Sequence, residues 1–218
     1  MHPNVQRLFT QPIVVLNQEA LARHPWGAAS RETAQMIDAL GNRSAVAQGL
    51  VSARGTPNAI TTAYNLGETR ARLYILAQNS PQHGAPVAVG LLKIGYKNLF
   101  HMGSDGRMKE MPGQICVLDF YIHEQYQRGG FGSKLFAAML QHEGVPPEGF
   151  AYDRPSPKLI GFMRKHYGLS NFVPQQNKFV IFEDFFSNGH GAPQRTPTIY
   201  DSVKDRPLTA RRSGGLRR

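Results

Sequence analysis

The sequence contains a single cysteine, Cys116, among its 218 residues. One cysteine cannot form an internal disulfide or a cysteine-based zinc cluster, so we expect a reducing compartment. No segment approaches the roughly 18–20 consecutive apolar residues of a membrane-spanning helix, and no N-terminal run is long enough for a signal peptide. The eight histidines show no ligand spacing such as His-Glu-x-x-His, so we expect no bound metal. These absences predict a soluble protein that is not secreted.

Acidic residues are scarce beside basic ones: 15 Asp and Glu face 25 Lys and Arg, which gives a formal net charge of +10. Residues 187–218 hold seven basic and two acidic residues and are rich in Gly, Pro, Ser, Thr and Arg. Their few apolar residues are too sparse to bury a core, so we expect one folded domain over residues 1–186 and a disordered basic tail over 187–218. Such a tail either keeps a protein soluble or attracts an acidic polymer, whether nucleic acid or a protein surface.

Hydrophobic periodicity predicts an α+β domain, that is, a mixed α/β arrangement with a central mixed sheet flanked by helices. Strands in series are followed by helix, strand, helix and strand. We expect helices over residues 31–47, 133–142 and 157–167, and strands over 73–77, 87–96, 115–122, 150–152 and 178–186. Residues 97–111, with Gly103, Asp105 and Gly106, are expected to form the turn of a hairpin, and Gly41 is expected to weaken or end the first helix.

Residues 115–133 are the most informative segment, because an apolar strand there runs into a basic, glycine-rich turn that opens an amphipathic helix. Gln127, Gly130 and Gly132 form the pattern Gln-x-x-Gly-x-Gly. Glycines let backbone N–H groups crowd round an anion at a helix N-terminus, and Arg128 adds charged donors. An ordinary tight turn has the same composition, so the turn alone leaves both interpretations open. The nucleoside-triphosphate and dinucleotide glycine patterns are absent.

The turn resembles the acyl-CoA pyrophosphate loop of the GCN5-related N-acetyltransferase superfamily. Further segments are similar to the catalytic domain of the α-tubulin N-acetyltransferases, in matching order over roughly residues 47–186. They are Ala-Tyr-Asp-Arg-Pro-Ser-Pro-Lys at 151–158, Lys-His-Tyr at 165–167, Phe-Val-Ile-Phe at 179–182, Gly-Tyr-Lys at 95–97 and Leu-Asp-Phe-Tyr at 118–121. The resemblance implies the GCN5-related N-acetyltransferase fold and an enzyme that transfers acetyl from acetyl-CoA to a luminal lysine of α-tubulin in microtubules.

The resemblance also implies where acetyl-CoA binds. The implied contacts fall on the glycine-rich turn and on the start of the second helix: Phe120, Tyr121, Ile122, His123, Gln127, Arg128, Gly129, Gly130, Phe131, Gly132, Ser133, Ser156, Pro157, Lys158 and Lys165. Ser156 stands where a helix N-cap would lie, and the two lysines can offer ammonium groups to the CoA phosphates. Without the resemblance, the pattern favours the interpretation of both lysines as solvated helix charges.

Acetyl transfer needs a base, because a protonated lysine ammonium has no lone pair. The resemblance gives this role to Asp153 in a direct transfer within a ternary complex, although its position also suits a helix cap. Cys116 is either a buried core residue, an assistant in proton transfer or a nucleophile. Gln48 matches a glutamine that the family uses in activity. Arg154 and Lys97 are expected to contact the protein substrate.

The expected partners follow from the same resemblance. We expect a monomer that binds α-tubulin in microtubules, located in the cytoplasm and on the cytoskeleton, including cilia or flagella, with no membrane or nucleic-acid partner. One alternative is an acetyltransferase of another amine, such as a histone lysine, a protein N-terminus or a polyamine. Another is a catalytically inactive module that binds polyanions.

Overall fold

The computed structural model describes residues 11–23, 28–80 and 85–187. Its sheet has six strands in chain order, with every neighbouring pair antiparallel except the fourth and fifth, which are parallel. The strands are β1 (Ile13–Leu16), β2 (Arg72–Ser80), β3 (Ala85–Met102), β4 (Met108–Ile122), β5 (Ala151–Asp153) and β6 (Phe179–Val180). The described helices are α1 (Gln18–Arg23), α2 (Ala28–Ala47), α3 (Ala63–Gly67), α4 (Phe131–Glu143), α5 (Pro157–Tyr167) and α6 (Asp184–Ser187). The mixed α/β prediction is confirmed, whereas the predicted tail, residues 187–218, lies almost wholly outside the described residues.

Helices cover both faces of the sheet, and the alternation along β2 shows how. Leu73 and Ile75 belong to a core shared with α2, while Tyr74 and Leu76 belong to a core shared with α4 and α5. Successive side chains of a strand point to opposite faces, so an unbroken apolar run is buried on both sides. Glu143 at the end of α4 accepts hydrogen bonds from Arg72 and Tyr74, which ties this helix to β2.

A bulge in β4 changes which face its side chains point to. Lys93 on β3 pairs with Asp119, but the next residue, Ile94, pairs with Val117, so Leu118 is an extra residue on β4. Ile115 and Val117 pack with the α4 core, yet Tyr121, which has the same parity, packs with the α2 core. The inserted residue thus turns Asp119 and Tyr121 toward α2, as bulges near functional sites often re-aim side chains.

Three predicted element boundaries were wrong. The hairpin turn spans only residues 103–107, because the polar residues on both sides of it belong to long, partly exposed strands. The predicted last strand is limited to β6 and is followed by the short helix α6. The first long helix is already helical at Ala28 and continues through Gly41.

Gly41 is required by a close approach of the chain to α2. A Cβ atom built there would lie 1.8 Å from the carbonyl oxygen of Thr61. The missing side chain therefore lets the loop that carries Thr61 pack directly on the helix. Its helix-weakening propensity is outweighed by this contact.

Gly41→Ala should lower the free energy of unfolding by roughly 1–3 kcal/mol, because the added methyl must push the Thr61 backbone away. Gly161→Ala is the matched control. Gly161 also lies inside a helix, but a Cβ there meets nothing within 4 Å, so the change should be neutral or stabilise by up to about 1 kcal/mol. Urea unfolding of both variants measures the difference. Equal stability of the two variants would contradict the close approach.

Candidate active site

The parallel strands β4 and β5 pair at only two positions, Cys116 with Ala151 and Val117 with Tyr152. Beyond them β4 continues to Ile122, while β5 ends at Asp153 and the chain turns into α5. A groove of about 740 Å³ opens where the two strands separate. Its walls are the end of β4, the turn before α4 and one face of α5.

The turn before α4 presents backbone N–H groups to the groove. Gly130 is the N-cap of α4 in the left-handed conformation, at φ 78°, and it makes no side-chain capping hydrogen bond. Arg128 also has a positive φ, 65°, which is uncommon for a residue other than glycine. Gln127 donates its side-chain amide to the Ile122 carbonyl at 2.8 Å, so it fastens the turn to the end of β4. Because the first N–H groups of a helix have no partner within the helix, this turn suits an anion.

The N-terminus of α5 faces the same groove. The Ser156 hydroxyl caps α5 by accepting from the Leu159 N–H at 3.2 Å. Arg128, Lys158 and Lys165 line the groove, whereas no acidic side chain is found among the described residues that line it. Two helix N-termini and three cationic side chains therefore give the groove a positive potential.

An aromatic floor lies beneath this positive rim. The Phe120 ring packs against Phe162 and Phe136, with centroids 5.4 and 5.7 Å apart. A Cβ at Gly132 would lie 3.4 Å from the Phe120 ring, an ordinary van der Waals contact. His166 packs on Phe162 with centroids 4.5 Å apart, and its ring nitrogen lies 3.4 Å from the Ser133 hydroxyl.

Most of the residues predicted to contact acetyl-CoA line this groove, but His123, Gly129 and Phe131 do not. His123 accepts a hydrogen bond from the Gln125 N–H at 3.3 Å and caps a short 3-10 turn. Phe131 packs on Tyr126. Four lining residues were not named individually as cofactor contacts from the sequence: Ala47, Leu159, Phe162 and His166. Three of them could have been found from helical spacing, because positions 158, 159, 162, 165 and 166 share one face of a helix.

Asp153 and Arg154 form an ion pair at the end of β5. Arg154 Nε donates to Asp153 Oδ1 at 3.0 Å, and the Asp153 side chain is 9% exposed. Arg154 adopts a positive φ of 44°, so the backbone turns sharply where β5 gives way to α5. The expected contact of Arg154 with the protein substrate would therefore use guanidinium N–H groups other than the Nε–H that holds Asp153. Lys97 is exposed on β3, opposite Gln114.

Cys116 is fully buried on β4, and its thiol donates to the Gln114 carbonyl at 3.3 Å. Burial, together with the nearby Asp153 carboxylate, raises the pKa of this thiol to about 12. Neither Cys116 nor Asp153 is among the described residues that line the groove. A neutral thiol is a poor nucleophile, so the environment of Cys116 favours a supporting position over a covalent one.

Gln48 lines the groove next to Ala47, just beyond the end of α2. Its side-chain amide donates to Asp119 at 2.9 Å and to Ser44 at 2.8 Å. Asp119 also accepts from the hydroxyls of Ser44 at 2.7 Å and Thr61 at 2.6 Å. Sequence reasoning gave Asp119 no role. The available signal was a lone acidic residue within an apolar strand.

Two kinds of structure are absent from the described residues. Over residues 11–23, 28–80 and 85–187, no helix is both long and apolar enough to cross a membrane. In the same part of the chain, no three His, Cys, Asp or Glu side chains are grouped to hold a metal ion.

The family match and the similar curated proteins point to the same family. Residues 1–211 match a family described as GNAT acetyltransferase, Mec-17. An alpha-tubulin N-acetyltransferase of Aedes aegypti is 41% identical over 196 residues, covering 87% of this chain and 69% of that protein. Alpha-tubulin N-acetyltransferase 1 of Danio rerio is 42% identical over 188 residues, covering 85% of this chain and 61% of that protein. The chain thus spans about two thirds or less of the length of these relatives.

Among solved structures, an aminoglycoside acetyltransferase from an uncultured soil metagenomic sample, in complex with trehalose, is 16% identical. Its TM-score is 0.40, and the match covers 75% of this chain and 91% of that chain.

The raised pKa of Cys116 predicts its reactivity. A thiol with an ordinary value of 9.0 is increasingly ionised as the pH rises toward 9, whereas one with a pKa of about 12 stays protonated. Between about pH 7 and 9 the folded protein should therefore react with an aromatic disulfide reagent far more slowly than the urea-unfolded chain. Because Cys116 is the only cysteine, the released chromophore reports it alone. Similar rates in the folded and unfolded states would contradict the buried, neutral thiol.

Proposed function

The chain belongs to the family described as GNAT acetyltransferase, Mec-17, and from that premise we propose that it transfers acetyl from acetyl-CoA to a lysine of α-tubulin. The observation that supports the proposal most directly is the groove bounded by the end of β4, the turn before α4 and one face of α5. It combines two helix N-termini, three cationic side chains and an aromatic floor. The proposed acceptor is a luminal lysine, with polymerised microtubules as the substrate.

The groove fits the chemistry of acetyl-CoA. The N–H groups of residues 130–133 and the Arg128 side chain would hold the pyrophosphate, and Lys158 and Lys165 would pair with the remaining phosphate charge. Phe120 and Phe162 would pack along the apolar part of the pantetheine arm. Gly132 lies against this path, since a Cβ atom built there would already be in van der Waals contact with the Phe120 ring.

Acetyl-CoA supplies the acetyl group as an activated thioester, whose C–S bond breaks as the amide bond forms, so that CoA leaves as a thiolate and takes up a proton. The protein must supply a proton acceptor, since the lysine ammonium has to lose a proton before its nitrogen can form the new amide bond. We assign this role to Asp153, whose carboxylate ends β5 beside the groove helix. Arg154 holds Asp153 Oδ1, so Oδ2 is the oxygen left to face the amine.

The transfer is proposed to be direct, with Cys116 in a supporting role. Its thiol is protonated at neutral pH and its Sγ atom is buried. The Asp153 carboxylate lies close enough to raise the pKa of this thiol. Cys116 would therefore assist proton transfer as a neighbour of Asp153 and would not carry the acetyl group.

The proposal that α-tubulin is the substrate rests on the similar alpha-tubulin N-acetyltransferases and agrees with the net charge of this chain. A protein of net charge +10 is suited to an acidic partner. Arg154 and Lys97 are exposed beside the site and are proposed to contact tubulin. We further propose that the protein acts as a monomer on cytoplasmic microtubules, including those of cilia.

Incubation of purified protein with microtubules and acetyl-CoA tests the proposal, with acetylated lysines mapped by mass spectrometry. Acetylation of one luminal lysine of α-tubulin, faster on polymer than on free dimer, is expected. Histone peptides and polyamines under the same conditions serve as competing substrates. Faster acetylation of either one would leave an acetyltransferase but remove the tubulin assignment.

Gly132→Glu should abolish binding of acetyl-CoA, since a carboxylate would project into the anion site. Gly132→Ala is the matched control, because its methyl meets the Phe120 ring at an ordinary contact distance, so binding should fall by less than roughly tenfold. Isothermal titration calorimetry measures both. Undiminished binding by Gly132→Glu would show that the turn does not hold the pyrophosphate.

Asp153→Asn should lower the rate of acetyl transfer by roughly 10²–10⁴-fold, because the amide cannot accept the ammonium proton. The loss should shrink as the pH rises, since a growing fraction of the acceptor lysine is then already neutral. Acetyl-CoA affinity should stay unchanged, which separates this variant from Gly132→Glu. A rate within a few-fold of the parent at neutral pH would return Asp153 to a structural role.

A further inference from the structure

A polar cluster is buried under the wall of the groove, on the α2 side of the sheet. Asp119 is 4% exposed, and Ser44 and Thr61 are fully buried. Asp119 Oδ1 accepts from Ser44 and Gln48, while Oδ2 accepts from Thr61. Gln48 is the member of this cluster that reaches the groove.

The hydrogen bonds determine which way the Gln48 amide faces. A carboxylate only accepts hydrogen bonds, so the atom 2.9 Å from Asp119 must be the amide nitrogen. The Ser44 hydroxyl donates its hydrogen to Asp119, so its oxygen accepts the second amide hydrogen at 2.8 Å. Both N–H groups of Gln48 are therefore used. Its Oε1 has no partner among the described residues and is the polar atom left for the groove.

Several features of the fold converge on this cluster. The bulge at Leu118 turns Asp119 toward α2. Gly41 lets the loop approach closely enough for Thr61 to reach Asp119. Lys93 lies opposite Asp119 in the register of β3 and β4, and its amine donates to the Ile60 carbonyl at 3.0 Å. A buried carboxylate is tolerated when its oxygens are hydrogen-bonded, as those of Asp119 are.

We propose that Asp119 is a positioning residue that holds the Gln48 amide so that its carbonyl oxygen accepts an N–H of the acceptor lysine. This inference rests on the proposed acetyl transfer. An amine that has given one proton to the base keeps two N–H groups and one lone pair. Fixing an N–H on Gln48 orients the lone pair for attack. Were the amide reversed, its oxygen would face the Asp119 carboxylate and its N–H groups would face the amine.

Asp119→Asn tests the orientation while keeping the volume of the side chain. An asparagine can offer either its oxygen or its amide nitrogen to Gln48, so both orientations of the Gln48 amide become satisfied. We expect kcat/KM for microtubules to fall roughly twofold if the two orientations are equally populated, and further where the reversed orientation is favoured. The KM for acetyl-CoA should not change, since the phosphate contacts lie elsewhere in the groove.

A double-mutant cycle with Gln48→Ala separates positioning from simple structural support. Gln48→Ala alone should lower kcat/KM for microtubules more than Asp119→Asn does. Once Gln48 is alanine, adding Asp119→Asn should cost nothing further in kcat/KM. Ile75→Val is the matched stability control, because it removes one buried methyl from the same side of the sheet and should leave kcat/KM unchanged in both backgrounds.

Two results would overturn the inference. In one, Asp119→Asn lowers kcat/KM equally with and without Gln48. In the other, it raises the KM for acetyl-CoA instead. Ser44→Ala, which removes one acceptor of the Gln48 amide, should show the same dependence on Gln48 if Asp119→Asn fails to fold. If the unsubstituted protein has no acetyltransferase activity, the proposed function itself is contradicted. If it is active but the effects of Asp119→Asn and Gln48→Ala on kcat/KM are additive, only this inference is contradicted.

Discussion

The geometry of the whole site depends on the short length over which the parallel strands β4 and β5 are hydrogen-bonded. They pair at two residue pairs, and the backbone of β4 beyond Val117 is then free to line a groove. Parallel strands end at the same edge of a sheet, so the segments that follow them also emerge there. Each leads into a helix, and both helix N-termini consequently face one space. The cationic side chains of the turn and of α5 add to a positive potential that already exists in the backbone.

A second constraint acts on the opposite side of β4. The extra residue Leu118 sets which face each later side chain of β4 points to, so that Asp119 is turned to α2 and Phe120 to the aromatic floor. Asp119 holds Gln48 from below, while the turn and α5 form the walls toward which an anion would be drawn. Gly41 contributes from a distance, because the loop bearing Thr61 packs where a side chain would otherwise stand. Strand β4 thus connects the proposed cofactor site with Gln48, the residue proposed to bind the acceptor amine.

Local patterns predicted the central part of the fold and a large share of the groove. The strand, turn and helix from residue 115 to 143 and the helix α5 follow from apolar periodicity, glycine positions and a serine cap. The hairpin was harder, because its exposed strands carry polar residues such as Lys97 and Lys109 that read as a loop. Asp119 was missed because alternation cannot reveal a bulge, which depends on the register with β3. Gly41 was read as a helix breaker, since sequence does not show the loop that contacts it.

Hydrogen–deuterium exchange with and without acetyl-CoA tests the central claim most directly, namely that the groove formed by the separation of β4 and β5 binds the cofactor. The N–H groups of residues 130–133 have no acceptor within α4, so they should exchange rapidly in the free protein. Addition of acetyl-CoA should slow exchange there and at the start of α5, while β1 and β2 should be unaffected. Slowed exchange elsewhere, with residues 130–133 unchanged, would contradict the account.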